Sequence, residues 1–325
     1  MRITAITFVT NEAPFLIEWI AFCRVIGVTD FLCHSGDCTD ATAPMLDRLQ
    51  ELGGLRHLPN TGPAAADRAE ALKQARNQSS VADADWVWIA GVDEFLNIRA
   101  GAGTIPDLIA ACGAPHAISV SSQVFANGGI EGYEDRPVIA QFAYSHNPDI
   151  RGTRMQQDVR TLVRKDFPLG HYGAHRPFMQ MGLTRANRPV WTDGSGRDVA
   201  WKFRAAATVD WADAYPAKGA RRFATLNRYG LRSLDSYMLR QAPGGQPPAR
   251  PDDGDWRDQN DPAFEDRSIQ RLLPRVCAMR TSSPRSVRMC STPRKSCFPA
   301  SFPTATAYRP RQKSTCRASS AAWPT

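Results

Sequence analysis

The hydrophobic positions of the first 125 residues alternate between the two spacings that are typical of helices and strands. Pro14–Ile26 carries apolar residues three or four positions apart, which predicts a helix with one apolar face. The predicted elements are, in order, strand Arg2–Val9, helix Pro14–Ile26, strand Phe31–Cys33, helix Ala41–Leu52, strand Leu55–Leu58, helix Ala64–Ser80, strand Trp86–Ala90, helix Thr104–Cys112 and strand Ala117–Ser121. This alternation predicts an α/β fold whose mostly parallel, Rossmann-like sheet is flanked by helices.

The pattern changes twice along the chain. The apolar run Trp86–Ala90 predicts a strand buried on both faces. After about Gly128 the pattern loosens, with a predicted strand at Val159–Arg164, a Gly/His/Pro-rich stretch at Gly170–Phe178 and a predicted helix at Ser233–Arg240. We therefore divide the chain into residues 1–125, a less regular part of the same domain at 126–271, and a tail at 272–325.

The formal net charge of +8 resides in the tail. Ten of the 40 lysine and arginine residues and none of the 32 acidic ones lie between Leu272 and Thr325, so residues 1–271 hold 30 basic and 32 acidic side chains. Nucleic acid is therefore not an expected partner of the domain. The Arg/Ser/Pro/Cys-rich tail suits either a disordered basic segment or out-of-frame translation, and the cysteines and aromatic residues scattered among its prolines favour the second interpretation.

Cysteine spacing and hydropathy exclude further classes of protein. None of the eight cysteines is spaced C-x-x-C, so they do not predict a metal centre. The sequence has no run of roughly 18 apolar residues and no signal-peptide pattern at its start. We therefore expect a cytoplasmic protein with no transmembrane segment.

Polar residues follow three of the predicted strands. They are Thr10, Asn11 and Glu12, then Asp37 and Asp40, then the run from Gly91 to Glu94. In a parallel sheet these strand ends lie at one edge, where ligands bind. Simpler interpretations remain open for each group, namely a helix cap for Thr10 and Asn11, an Asx-turn for Asp37 and Asp40, and a plain turn for Asp93.

Taken together, these segments resemble the family-2-like bacterial glycosyltransferases, which begin with a KNE-type strand and carry a DxDEF motif. The resemblance covers about residues 1–270 and rests on the segments TFVTNEAPFLIEWIAFCRVIGVTDFLCHSGDCTDAT, DADWVWIAGVDEFLNI, VFANGGIEGYEDRPVIAQF, HRPF, VWTDGSG and LNRYGLRSLDSYMLR. It implies a GT-A fold, a nucleoside-diphosphate-sugar donor, a divalent metal ion (Mn²⁺ or Mg²⁺) and a part in polysaccharide or other surface-glycan assembly.

The resemblance also implies roles for single residues. Residues 1–125 become the nucleotide-sugar-binding half and residues 126–271 the acceptor and catalytic half of one GT-A domain. The implied donor contacts are Asn11, Glu12, Asp37 and Asp40, and strand-end position adds Thr10 and Gly91 as candidate contacts. Asp93 is the implied metal ligand, because a divalent ion held by a carboxylate stabilises the departing diphosphate. The expected acceptor is a glycan or a lipid-linked molecule, and peripheral contact with the inner face of the membrane is left open.

Two positions depart from the family pattern. Gly91 stands two residues before Asp93, where relatives usually carry an aspartate, and Arg228 stands where a histidine is expected. Both departures concern groups that would contact metal or phosphate. They motivate an alternative hypothesis, that of a protein which binds nucleotide sugars in the same fold without turnover.

The candidates for acid–base chemistry lie in the second half. Glu134 and Asp135, or His175, would take the proton of the acceptor hydroxyl in an inverting transfer, and Arg176 would contact the diphosphate. Solvated turn charges, a structural histidine and a structural ion pair are the competing interpretations. Trp191 and Trp201 suit sugar stacking or packing, with packing favoured. A nucleotidyltransferase is disfavoured, because TNEAPF lacks a Gly-rich phosphate loop.

Overall fold

The computed structural model describes residues 1–59, 68–148, 158–184, 187–200, 203–204, 220–241 and 254–282. Its strands are β1 Ile3–Val9, β2 Asp30–Ser35, β3 Arg56–Pro59, β4 Trp86–Ile89, β5 Glu94–Ile98, β6 Ala117–Val124, β7 Tyr144–Ser145, β8 Val159–Arg164, β9 Leu169–Tyr172, β10 Pro177–Met179, β11 Trp191–Asp193, β12 Ala224–Arg228 and β13 Phe264–Glu265. Its α-helices are α1 Ala13–Val25, α2 Thr42–Glu51, α3 Arg68–Ala75, α4 Ser79–Ala82, α5 Ile105–Ala111, α6 Val138–Gln141, α7 Leu234–Gln241, α8 Gly254–Gln259 and α9 Leu273–Ser282, the last preceded by a 3₁₀ helix at Ser268–Leu272.

A nine-stranded mixed sheet forms the centre of the described residues. Its strand order is β3-β2-β1-β4-β8-β6-β12-β5, and β11 also pairs with β6. Strands β1 to β4 are parallel to their neighbours among themselves, as are β11 and β12 to β6, whereas β8 and β5 run antiparallel to the strands beside them. The predicted mostly parallel sheet flanked by helices is therefore confirmed.

Strands from both halves of the sequence alternate in this sheet. From the second half, β8 lies between β4 and β6, and β12 lies between β6 and β5. The apolar run at β4 is buried along its whole length, as its composition predicts. Residues 1–125 and 126–271 thus share one sheet.

Aromatic residues pack tightly beneath the carboxyl end of the sheet. The ring centroid of Phe95 lies 4.9 Å from that of Phe22 and 5.5 Å from that of Tyr229, and Phe125 lies 4.6 Å from Tyr229. Such pairs each contribute roughly 0.5–1.5 kcal/mol beyond the burial of their area. Phe95 and Tyr229 follow Glu94 and Arg228 directly in the chain, so this packing fixes the backbone from which those two charged side chains project.

Helix α1 shows how the predicted apolar face is used. Leu16, Trp19, Phe22 and Cys23 are fully buried, and Trp19 also donates its indole N–H to the carbonyl of Glu94 at 3.0 Å. The helix begins next to Pro14 without any side-chain cap at its Glu12 N-cap position. The capping interpretation of Thr10 and Asn11 therefore does not hold for this helix.

Several elements were not predicted, and three of them bear on the site or on the extent of the domain. Strands β5 and β12 pair with each other, and helix α9 packs on α1, where Val276 is fully buried and Arg275 donates to the carbonyl of Val25 at 2.9 Å. The domain therefore extends at least to Ser282, and the predicted start of the tail at residue 272 has to move toward the C-terminus. The remainder of the predicted tail lies outside the described residues.

One other prediction is modified. The helix predicted at Ala64–Ser80 is divided into α3 and the short α4, and its first residues lie outside the described part. Among the described residues, no helix is both long enough and apolar enough to cross a membrane.

Candidate functional site

Charged side chains from distant parts of the sequence meet at the carboxyl edge of the sheet. Asp93 lies in the turn between β4 and β5, and Arg228 ends β12. Asp158 comes just before β8, whose antiparallel direction brings its first residues to the same edge as the ends of β4 and β6. Asp93, Asp158 and Arg228 therefore lie at the same edge of the sheet.

Thr10 and Asn11 tie the end of β1 to the loop after β2. The Thr10 hydroxyl donates to the carbonyl of Gly36 at 2.8 Å, and the Asn11 carbonyl oxygen accepts the backbone N–H groups of Thr39 at 2.8 Å and Asp40 at 3.2 Å. Asn11 has a φ of 54°, in the left-handed region that asparagine tolerates better than most residues. Both side chains hold the loop that carries Asp37 and Asp40.

The two aspartates of that loop differ. Asp40 accepts the N–H of Thr42 at 2.8 Å and that of Ala13 at 3.2 Å, so its carboxylate joins the first turns of α2 and α1. Asp37 is exposed and has a φ of 50°. The turn interpretation thus describes Asp40, while Asp37 projects from the loop.

Glu12 forms a buried ion pair with Arg232. The Arg232 Nη1 donates to Glu12 Oε2 at 2.6 Å, and its guanidinium lies 3.6 Å from the centroid of the Phe15 ring. Arg232 is only 4% exposed, and its Nε and Nη2 have no hydrogen-bond partner among the described residues. A buried charged donor without a partner is costly, so two N–H groups here are able to gain from an anionic ligand.

The turn between β4 and β5 is stabilised by the Glu94 side chain and by a backbone hydrogen bond from Tyr229, the residue after β12. The Gly91 N–H donates to Glu94 Oε2 at 2.8 Å, and the Asp93 carbonyl accepts the N–H of Tyr229 at 2.8 Å. A Cβ atom at Gly91 would lie 2.5 Å from Asp93 Oδ1. Because glycine occupies position 91, the Asp93 carboxylate is able to fold back over the backbone there.

Below this turn, Glu94 and Arg160 form a two-pronged ion pair. Arg160 Nε lies 2.8 Å from Glu94 Oε2, and Nη2 lies 2.8 Å from Oε1. The two side chains are 1% and 5% exposed. Such a pair fixes geometry strongly, because both charges depend on each other once water is excluded.

Asp158 contacts two guanidinium groups and one imidazole ring. Its carboxylate lies 2.6 Å from His175 Nδ1, 3.2 Å from Arg228 Nη1 and 3.5 Å from Arg160 Nη1, and the Arg160 guanidinium also contacts the His175 ring. Burial by itself would raise the pKa of Asp158, but the hydrogen bond from His175 and the charges of Arg160, His175 and Arg228 lower it to about 2. His175, a predicted catalytic residue, therefore belongs to this cluster.

Asp93 is surrounded by positive charge. Its Oδ2 lies 3.6 Å from Arg228 Nε. Burial opposes ionisation of Asp93, yet Arg228, Arg232, Arg240 and Arg160 together hold its pKa below the ordinary value. Conversely, burial lowers and the charges of Asp93, Glu94 and Asp158 raise the pKa of Arg228, and the net shift is upward. The pair is ionised in both partners.

A divalent metal ion does not fit the residues around Asp93. The cation nearest its carboxylate is the Arg228 guanidinium, and position 91 supplies no side-chain oxygen. In the part of the chain that the structure describes, no three or more His, Cys, Asp and Glu side chains are grouped so that they could hold a metal ion. Mn²⁺ and Mg²⁺ require several oxygen ligands, which this arrangement does not offer.

Several predicted residues lie apart from the cluster. Glu134 is exposed and pairs with Arg136 at 3.2 Å, and the exposed Asp135 lies 3.5 Å from Arg280 of α9. Arg176 is 1% exposed, and its guanidinium lies 4.5 Å from the ring centroid of Phe178. Arg176 thus has a structural role in the observed fold, and the phosphate contact predicted for it stays a prediction.

The predicted aromatic contacts are also packing. Trp191 is fully buried, lies 5.3 Å from the Phe203 ring and donates its N–H to Ser119 at 2.9 Å. It has no face available to a sugar, so packing is the correct interpretation. Trp201 lies outside the described residues.

Sequence inspection missed Asp158, Arg160, Arg232 and Arg240. Asp158 directly precedes β8 and Arg160 is its second residue, so these two side chains project from the same face. A paired acid and base on one face of a buried strand is a signal that was present in the sequence. For Arg232 and Arg240, no local pattern distinguishes them from surface arginines.

No protein-family model and no curated protein matches the sequence. Solved structures with a partial likeness include S. aureus TarS in complex with UDP, at 14% identity and a TM-score of 0.30, covering 51% of this chain and 47% of that one. HddC from Yersinia pseudotuberculosis has 9% identity and a TM-score of 0.32, covering 58% of this chain and 88% of that one.

A third is glucosyl-3-phosphoglycerate synthase from Mycobacterium tuberculosis, in complex with Mn²⁺, UDP and glucosyl-3-phosphoglycerate. It has 14% identity and a TM-score of 0.29, covering 51% of this chain and 58% of that one. The chain thus spans about half the length of the TarS and synthase structures.

Proposed function

We propose that the protein is a GT-A-type glycosyltransferase that moves a sugar from a nucleoside diphosphate to a glycan or lipid-linked acceptor. The observation that carries this proposal is the set of arginines at the carboxyl edge of the sheet, where ligands of open α/β sheets bind. They are Arg160, Arg228, Arg232 and Arg240, whose charges all act on Asp93.

The arginines are held by acids but retain donors. Glu94, Asp158 and Glu12 fix Arg160, Arg228 and Arg232. Within the described residues, the Nε of Arg228 and the Nε and Nη2 of Arg232 lack a hydrogen-bond partner. Planar guanidinium groups with unused N–H donors suit the oxygens of a diphosphate.

The loops after β1 and β2 would accommodate the rest of the donor. Thr10, Asn11 and Asp40 hold those loops together, and Asp37 projects from them. In this proposal they form the nucleoside side of the pocket, with the diphosphate toward Arg228 and Arg232. Gly91 stays a predicted donor contact in this proposal, with the Asp93 carboxylate folded back beside it.

His175 is the acceptor-side base in this proposal. It is 24% exposed, and Asp158 orients its ring through Nδ1 at 2.6 Å. A carboxylate in this position fixes the orientation of an imidazole and stabilises its protonated form. Glu134 and Asp135 remain predicted alternatives, although their observed partners are Arg136 and Arg280.

A second candidate function is nucleotide-sugar binding without turnover. It is favoured by the closed pairing of Asp93 with Arg228 and by the folded-back carboxylate over Gly91. The expected location, the cytoplasm or the inner face of the membrane, stays a prediction.

The test is binding and turnover measured side by side. Titration calorimetry with UDP, GDP, dTDP, CDP and ADP should find one that binds, and Arg232→Gln should weaken that binding about tenfold or more. Arg48→Gln, which removes an exposed arginine of α2 that pairs with Glu51, is the matched control and should bind as the wild type does. Thermal unfolding of each variant checks its fold.

The outcomes separate the hypotheses. Hydrolysis or transfer of the corresponding nucleotide sugar supports the enzyme, and binding without either supports the second candidate. If none of the five nucleotides binds, the proposed site is wrong.

A further inference from the structure

Arg228 connects two carboxylates at the sheet edge, those of Asp93 and Asp158. Its Nη1 lies 3.2 Å from Asp158 Oδ2, and its Nε lies 3.6 Å from Asp93 Oδ2. The two aspartates come from different parts of the sheet, one from the β4–β5 turn and one from the start of β8. One cation therefore bridges two acids, which is the arrangement expected of a metal ion between carboxylate ligands.

The surroundings favour an arginine over a divalent ion in this position. A metal ion beside Asp93 would approach the guanidinium of Arg228, and Arg232, Arg240 and Arg160 act on the same carboxylate. Like charges in a partly buried site repel strongly. The Asp93 carboxylate also folds back over Gly91, so one of its oxygens is directed at the turn that contains it.

The Arg228 side chain is placed to serve a ligand as well. It is 19% exposed, similar to the 18% of Asp93, so the pair borders solvent. Its Nε makes no hydrogen bond among the described residues, because the Asp93 oxygen lies beyond hydrogen-bond distance. A small rotation would let the guanidinium donate to a phosphate oxygen while Asp158 retains Nη1.

We propose that Arg228 takes the place of the divalent cation at this edge, so that a nucleoside diphosphate binds here without metal. This inference rests on the proposed function, since it names the group that neutralises the diphosphate in the same site. Arg228 and Arg232 are each paired with acids, and they offer the diphosphate the N–H donors that those acids leave unused. Asp93 positions Arg228 and does not ligate metal.

The first experiment needs no variant. The nucleotide that binds best among UDP, GDP, dTDP, CDP and ADP is titrated into the wild-type chain in EDTA and then in Mn²⁺, and we expect equal affinities. Binding that requires Mn²⁺ would overturn the inference and leave the proposed function standing. Failure of all five nucleotides in both buffers would overturn the proposed function and this inference with it.

A second measurement examines the metal alone. Mn²⁺ binding in the absence of nucleotide, followed by electron paramagnetic resonance, should be undetectable for the wild type. The double variant Gly91→Asp with Arg228→His replaces the cation by oxygen and imidazole ligands and should acquire Mn²⁺ binding. Mn²⁺ bound by the wild type and lost in Asp93→Asn would contradict the inference whatever the nucleotide does.

Single variants test whether nucleotide binding without metal depends on Arg228. Arg228→Gln should weaken nucleotide binding in EDTA by about tenfold or more, with partial recovery in Arg228→Lys and none on adding Mn²⁺. Arg48→Gln is again the matched control. If Arg228→Gln folds and binds nucleotide as the wild type does, Arg228 is not the replacing cation. If it does not fold, the wild-type comparison in EDTA and Mn²⁺ decides the question.

Discussion

Two buried arginines of this protein occupy opposite environments. Arg160 lies in the cluster at the sheet edge and is paired on both prongs with Glu94, whereas Arg176 lies between the rings of Phe178 and Phe203, outside the cluster. The first is electrostatically connected to Asp93, and the second packs a small aromatic core and donates to the carbonyl of Phe203. Burial of an arginine therefore does not indicate its role, and the identity of its partners does.

The largest effect is expected from breaking the Glu94–Arg160 pair. Glu94→Ala should lower the free energy of unfolding by about 3–5 kcal/mol, because it leaves the Arg160 charge buried with a lost partner. Urea denaturation measures this, with Arg48→Gln at the exposed Arg48–Glu51 pair as a control that should change stability by at most about 0.5 kcal/mol. Equal effects at the two sites would show that Glu94 is not effectively buried.

Glu18 is a buried acid whose hydrogen-bond partners are backbone N–H groups, in contrast to Glu94, which pairs with an arginine. Glu18 accepts the N–H groups of Val138 at 2.8 Å and Ile139 at 3.3 Å, and burial raises its pKa from 4.5 to about 7 despite these bonds and the charges of Arg280 and Arg232. Since the folded-state pKa is the higher one, its contribution is fully present below pH 4.5 and is lost as the pH rises through 7.

The measurement compares wild type with Glu18→Gln across that range. The stability of the wild type relative to the variant should fall by about 3 kcal/mol between pH 4.5 and pH 7. The difference between the two proteins is what matters, because burial lowers the pKa of His146 to about 4 and its contribution runs in the opposite direction. A difference that stays constant with pH would show that Glu18 titrates normally.

His175 in the cluster and the exposed Glu134 are expected to differ in their effect on turnover. Under the proposed function, His175→Gln should reduce the rate of sugar transfer about 100-fold through loss of the base. Glu134→Gln should leave the rate within about twofold, because its observed partner is the exposed Arg136. The reverse result, a large loss at Glu134 and none at His175, would return the role of base to the loop before α6.

The smallest effect is expected at Arg176. Arg176→Met should lower the free energy of unfolding by about 1–3 kcal/mol, through loss of the bond to the Phe203 carbonyl and of its contact with the rings. Nucleotide affinity measured by calorimetry should not change. A loss of affinity in a folded variant would show that Arg176 contacts the diphosphate after all.

The elements with local periodicity were those predicted well. Val159–Arg164 has the predicted bounds, and α1 and α2 agree with prediction to within one residue at each end. Strands β5 and β12 were missed because each mixes polar and apolar residues, such as Asn97 and Asn227, that are buried only through their mutual pairing. Helix α9 was assigned to the tail because its arginines and cysteine resemble tail composition, although Val276 enters the core.

The candidate site was also predicted only in part: the positions of some residues could be predicted, and their partners could not. Strand position placed Glu12 and Asp93 at one edge, because the ends of parallel strands must meet there. The partners of these residues are distant in sequence, with Glu12 and Arg232 separated by 220 positions and Glu94 and Arg160 by 66. Their pairing depends on side-chain directions after packing, which no local pattern encodes.

The sequence by itself determined the α/β sheet, the edge at which its strand-end polar residues collect, and the two departures from the family pattern at Gly91 and Arg228. Only the tertiary structure decided that Arg228 bridges Asp93 and Asp158 and that Arg176 is a packing residue. The physical reason is that apolar periodicity is written in neighbouring residues, whereas the charge that an acid experiences is the sum over groups brought together by folding.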